Sequence, residues 1–191
     1  FGPHLKYYPT VHYLVVFTTL KILPSKNYYN RIPMKASETK LWTALITPFN
    51  NDGTVDYTSL DRLISEQVDA KNGLLILGST GESLNIDERT KREIINHICD
   101  ESPNTPIMVG VGGIHLPSTL DWVKFLETKN IHAYLMVSPL YAKPGDEGQY
   151  EWFKTLMDSC SRPVMLYNVP GRTGGPLSKK AVERLNTHKN F

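Results

Sequence analysis

Four short stretches hold residue types that could do chemistry: GSTGES (Gly78–Ser83), SPLYAKP (Ser138–Pro144), YNVPGRTGG (Tyr167–Gly175) and TPF (Thr47–Phe49). GSTGES sets hydroxyls and a carboxylate around two glycines. A phosphate-binding loop would need Lys and then Ser or Thr after its second glycine, but Gly81 is followed by Glu82 and Ser83. A nucleophile elbow would need G-x-S-x-G, and Gly78-Ser79-Thr80-Gly81 has a different spacing with no His–acid pair to accompany it. The residue types still allow a tight turn whose backbone N–H groups hold a small carboxylate while two hydroxyls orient it or pass protons. An ordinary βα turn has the same composition, so this stretch alone does not decide.

Other chemistries fall away on spacing. GVGG (Gly110–Gly113) has the setting of a dinucleotide fingerprint, but the third glycine position is His115. Cys99 and Cys160 are far apart and have no CxxC or His-spaced partner, so no disulfide framework and no metal is expected. Both read as small apolar core residues in a reducing compartment. No cofactor is expected.

The elements that must carry these stretches alternate at a spacing of roughly 30 residues, as βα units do. Strand candidates are Leu41–Phe49, Gly73–Gly78, Pro106–Val111, His132–Pro139 and Pro163–Val169, whose continuous apolar character suits parallel strands buried on both faces. Between them run helical stripes: Leu60, Leu63, Ile64 and Val68; Ile94, Ile95 and Ile98; Leu120, Val123 and Leu126; Phe153, Leu156 and Met157. Asn85 with Glu88 is expected to cap the second helix, and Ser118 or Thr119 the third. A last helix spans Ser178–Asn186. This order fits either an open doubly wound sheet or a closed (β/α)8 barrel, and both place the active site at the strands' C-terminal ends, where all four stretches fall.

With 191 residues, 40% hydrophobic, 21% charged and net charge +2, the chain has an ordinary globular composition with no basic run for nucleic acid. Residues 1–33 differ, being rich in Tyr and Pro around the apolar run Val11–Leu23. That run falls short of the roughly 20 apolar residues of a membrane span, and no secretory cleavage site follows it. We expect Met34 to be the natural start, with 1–33 an extension outside the fold and 34–191 the folded unit. If 1–33 is instead a genuine transit segment, a plastid is the compartment.

GSTGES, YNVPGRTG and SPLY in this order and spacing resemble the pyruvate-dependent Schiff-base aldolase superfamily, and within it the dihydrodipicolinate synthase family. The likeness runs from about Leu41 to Phe191. It implies an α/β fold, the TIM (β/α)8 barrel, of which this chain holds about the first five βα units. It also implies a lyase of lysine (diaminopimelate) biosynthesis that joins pyruvate to aspartate semialdehyde through a lysine Schiff base. The family works in the cytoplasm without a cofactor, as a homotetramer built as a dimer of dimers, with neither nucleic acid nor a membrane as partner.

By the same resemblance Tyr167 matches the proton donor and acceptor, Ser79 the relay hydroxyl, and Tyr141 a relay tyrosine supplied across a subunit interface. Thr80 and Gly81 match the pyruvate carboxylate site, and Arg172 the arginine that takes the semialdehyde's carboxylate with its planar fork. Two positions depart from the pattern. Leu140 stands where many of the synthases have a second tyrosine. Ser79 stands where many have threonine, and N-acetylneuraminate lyases often have serine there, so a sugar-acid lyase of the same superfamily stays open, as does a non-catalytic assembly module.

A Schiff base needs an amine that is unprotonated near neutral pH, normally a lysine desolvated among apolar residues. No lysine lies in an apolar strand run: Lys71, Lys124, Lys129, Lys154, Lys179 and Lys180 fall on or beside helices, Lys143 in a loop, and Lys189 in the final connection. By the family's spacing a sixth strand begins near Asn190 and Phe191, with its lysine roughly four residues past Phe191. We therefore expect the chain to be an N-terminal fragment, inactive alone.

Overall fold

The computed structural model describes residues 14–15 and 36–191. One sheet holds six strands in the order β1 (Leu14–Val15), β2 (Trp42–Ala44), β3 (Gly73–Ile76), β4 (Ile107–Val111), β5 (Ala133–Met136) and β6 (Val164–Leu166). Strands β2 to β6 pair in parallel, each with the next in sequence, and a helix covers every crossover: α1 (Tyr57–Asp69), α2 (Glu88–Glu101), α3 (Leu116–Glu127) and α4 (Asp146–Asp158). After β6 come a short α5 (Pro170–Thr173) and α6 (Lys179–Leu185). A doubly wound sheet reverses its strand order at a switch point. No reversal occurs here, so the architecture is a partial α/β barrel with five successive βα units.

Strand β1 pairs antiparallel with β2 and belongs to the segment expected to stand apart; the rest of that segment lies outside the described residues. The five expected strands are all present but shorter; all except β4 end early because their last residues leave the ladder to form the loops of the candidate site. At the far edge the Asn190 carbonyl accepts from Val164 N–H at 2.7 Å, while the buried Asn190 side chain donates to the Met157 and Cys160 carbonyls. Backbone pairing at β6 is thus already met at Asn190.

Strand alternation separates two cores. Leu74, Ile76, Ile107, Val109, Tyr134, Met136 and Val164 face the helices and pack on the stripes read from the sequence, Ile94, Ile95, Ile98, Val123, Leu126, Phe153, Leu156 and Met157. Leu75, Met108, Ala133 and Leu135 point to the barrel interior with Trp42, and Ala44, Met165 and Tyr167 pack against them. The indoles of Trp122 and Trp152 reach in from the outer helices to the Gly110 and Val137 carbonyls, at 3.1 and 2.9 Å, and fix the C-terminal ends of β4 and β5. Cys160 is buried, and burial pushes its thiol up to about 11, as suits a core residue.

Two expected caps move. Helix α2 is capped by the Asp87 carboxylate, which accepts from Thr90 N–H at 3.0 Å; Asn85 instead sits in the turn before it, its N–H bonded to the Glu82 carbonyl. Helix α3 is capped by His115, whose Nδ1 accepts from Ser118 N–H at 3.4 Å, while Thr119 donates back to the His115 carbonyl. In both cases the helix begins where a side-chain acceptor stands three residues before a free N–H. Ser178, the first residue of the expected last helix, is the N-cap of α6, its hydroxyl accepting from Ala181 N–H at 3.1 Å.

At the opposite end from the candidate site, Glu127 joins three partners: it accepts from the Tyr134 hydroxyl, from Ser161 at 2.6 Å and from Arg162 at 2.9 Å. Burial pushes its carboxyl up, but the hydrogen bonds of Ser161 and Tyr134 and the charge of Arg162 outweigh burial and hold it below the usual range. A lowered folded pKa gives stability that is complete above the ordinary carboxylate value and lost as pH falls through the folded one. Glu127→Gln is therefore expected to flatten the acid limb of a urea-midpoint titration below about pH 4. An unchanged limb would exclude this role.

Candidate active site

The site lies at the C-terminal ends of β2 to β6, and its shape depends on how the chain leaves β3. Leu77, 2% exposed, adopts φ +54°, a left-handed conformation that a branched side chain occupies at a cost of about 1–2 kcal/mol. This turns the backbone out of the ladder into GSTGES. The turn is closed by weak bonds from Glu82 N–H to the Ser79 carbonyl and from Ser83 N–H to the Gly78 carbonyl, at 3.3 and 3.4 Å. Among the described residues the N–H groups of Ser79, Thr80 and Gly81 have no hydrogen-bond acceptor.

Two neighbours hold the loop from below. Thr47, buried in the TPF stretch, donates its hydroxyl to the Gly81 carbonyl at 2.8 Å. Gly81 is tightly enclosed, since a Cβ would meet the Leu45 carbonyl at 3.1 Å. Gly110 of β4 lies still closer: a Cβ there would stand 2.2 Å from the Leu77 carbonyl oxygen and 3.1 Å from Gly78 N. Gly112 likewise passes against Val137, with a Cβ 2.3 Å from its Cγ2. The glycines of GVGG are therefore packing glycines that let neighbouring strand ends approach.

An open cleft lies over this floor. Ser79, Thr80, Tyr167 and Arg172 line it with Gly78, Gly110, Leu135, Leu140 and Thr173. Tyr167 is placed by its N–H, which bonds the Met136 carbonyl at 2.8 Å, and its ring packs against the interior cluster. Arg172 is carried by α5, one turn started by Pro170 and ended by Gly174 at φ +78°. Thr173 locks that turn through hydroxyl bonds to the Val169 and Gly175 carbonyls, at 3.1 and 2.8 Å.

Of the six residues expected from the sequence, four thus share the cleft wall and Gly81 lies buried in the loop beside them. Tyr141 stands outside the cleft of its own chain, 93% exposed, with φ +67° at the tip of its loop. Residue-level reading missed Thr47 and Gly110. TPF and GVGG marked the segments, but a buried hydroxyl and a close backbone approach show only in three dimensions. All the lysines read from the sequence as solvated are unburied.

Residues 37–191 match the model of the dihydrodipicolinate synthetase family. The 4-hydroxy-tetrahydrodipicolinate synthase of Wolbachia pipientis wMel is 47% identical over 154 residues, covering 80% of this chain and 53% of that protein. That of Francisella philomiragia is 45% identical over 152 residues, covering 80% and 52%. Among solved structures, the dihydrodipicolinate synthase of Aquifex aeolicus superposes with a TM-score of 0.74 at 30% identity, over 78% of this chain and 52% of that one. The chloride-inhibited enzyme of Acinetobacter baumannii complexed with pyruvate gives 0.74 at 31%, with the same coverage. The chain spans about half the length of the relatives it matches. Among the described residues no helix is long and apolar enough to cross a membrane.

Proposed function

The chain belongs to the dihydrodipicolinate synthetase family, and from that premise we propose that the protein it forms part of condenses pyruvate with aspartate semialdehyde, through a lysine Schiff base, on the route to lysine. The observation that carries this reading is the joint cleft wall of Ser79, Thr80, Tyr167 and Arg172 above a loop with unclaimed N–H groups. Thr80 and Gly81 hold the pyruvate carboxylate by hydroxyl and backbone amide. Tyr167 gives and takes the protons of carbinolamine and imine formation, with Ser79 linking it to Tyr141 of a neighbouring subunit. Arg172 receives the carboxylate of the semialdehyde.

Tyr141 is too exposed to serve the cleft of its own chain, which favours a dimer as the smallest competent unit and a dimer of dimers as the assembly. The working compartment on this reading is the cytoplasm, and the bacterial relatives lend a plastid no support. No described lysine is buried, so none of them is the imine-forming amine on this reading, which by the family's pattern stands on a strand paired to β6.

Borohydride trapping tests this reading. With pyruvate, the complete gene product is expected to give one stoichiometric adduct on a lysine outside residues 1–191, and the 191-residue chain none. An adduct on any lysine of this chain, or none on the complete protein, would overturn it.

A further inference from the structure

Two loops border the cleft, contributing Leu140 and Arg172 to its wall, and neither belongs to a strand or a long helix. The loop from β5 to α4 holds Tyr141 and Lys143, both at positive φ. The loop from β6 to α6 holds Arg172 on the single turn of α5. One buried side chain spans them. Gln149, in the first turns of α4 and 8% exposed, donates from Nε2 to the carbonyls of Pro144 and Pro176, both at 3.2 Å. Its Oε1 accepts from Ser178 N–H at 2.8 Å. Both amide hydrogens and the carbonyl are thereby used.

Pro144 closes the Tyr141 loop, and Pro176 and Ser178 close the Arg172 loop. Polar links elsewhere between α4 and the α6 segment, among them Ser178 Oγ to Asp146 at 2.8 Å, Lys180 to Asp146 at 3.4 Å and Arg184 to Glu147 at 2.5 Å, are exposed and weak. The pyruvate cradle has separate anchors in Thr47 and Gly110, neither of which Gln149 touches.

We propose that Gln149 is a positioning residue: its carboxamide sets where the Arg172 segment stands against the Tyr141 loop, and so governs recognition of the second substrate's carboxylate while leaving pyruvate capture alone. The catalytic half of this rests on the function proposed above. The geometric half rests on the three hydrogen bonds.

The test uses the complete gene product and the variant Gln149→Met, which keeps the side chain's length and removes its polar atoms, with Gln149→Glu as a second variant that keeps only the acceptor for Ser178. In Gln149→Met the KM for aspartate semialdehyde is expected to rise about tenfold, while the KM for pyruvate and the yield of borohydride-trapped adduct change less than about twofold. Exchange of the Ser178 amide hydrogen is expected to quicken about tenfold. Gln149→Glu is expected to retain slow exchange at Ser178 and still to raise the semialdehyde KM. Equal rises in both KM values would make Gln149 merely structural and overturn the proposal, as would unchanged exchange at Ser178 or an unchanged semialdehyde KM. A wild-type protein that traps no pyruvate would refute the function itself, and exchange at Ser178 and in residues 170–178 would then decide the positioning role alone.

Discussion

Replacing Tyr167 with Phe in the complete gene product is expected to lower kcat by about 100-fold or more, the range that a positioned general acid and base contributes. The ring is held by its backbone bond to the Met136 carbonyl and by packing against the interior cluster, and neither involves the hydroxyl. Phe should therefore fold and fill the same space, so the loss isolates proton transfer. Imine formation needs a proton delivered to the departing hydroxyl and another removed from the attacking amine, and one phenol linked to a second hydroxyl can serve both steps. The proposed cradle of Thr80 and Gly81 is untouched by this change, so the KM for pyruvate should move little. Rapid-quench trapping with borohydride separates the two effects, and a loss in kcat below about tenfold would remove Tyr167 from this role.

Gly110→Ala is expected to be the most damaging single-methyl change in the described structure. The added carbon would stand 2.2 Å from the Leu77 carbonyl oxygen, 2.8 Å from its carbon and 3.1 Å from Gly78 N. All three are backbone atoms, so no side chain can swing aside, and either β4 or the turn after β3 must shift. Overpacking of this kind costs about 3 kcal/mol. The shifted backbone is the one that carries Ser79 and Thr80, so the KM for pyruvate should also rise about tenfold. Gly175→Ala is the control: a Cβ there meets nothing within 4 Å, and the change should stay within about 0.5 kcal/mol. Urea unfolding of both variants measures the difference, and equal midpoints would disprove the close approach.

Much of the fold could be read from the sequence, because apolar runs such as GLLILG and the stripe of Ile94, Ile95 and Ile98 are dictated by burial, which composition and period report directly. The loops of the site could be read for a different reason. Their hydroxyls and arginine follow successive strands, and the strand-end rule places such residues together. What could not be read depends on neighbours remote in sequence. The left-handed turn at Leu77 is held in place partly by the absence of a side chain at Gly110, and no local signal marks a branched residue as left-handed. Caps shifted for a related reason: Asp87 and His115 win over Asn85 and Ser118 by geometry at the helix start, where several neighbouring side chains had the right chemistry. Helix α5, a single turn, is too short to show a period.

The unreversed strand order also has a kinetic meaning. Each strand of β3 to β6 emerges roughly 30 residues after the partner it joins, so during synthesis it meets an edge that already exists, and loop closure stays short at every step. The carbonyl of Asn190 on Val164 extends the same rule by one more edge. The sheet can thus grow as a ratchet in the direction of translation, and the turn that carries Ser79 and Thr80 is shaped by units two and three before the later strands of the cleft have left the ribosome.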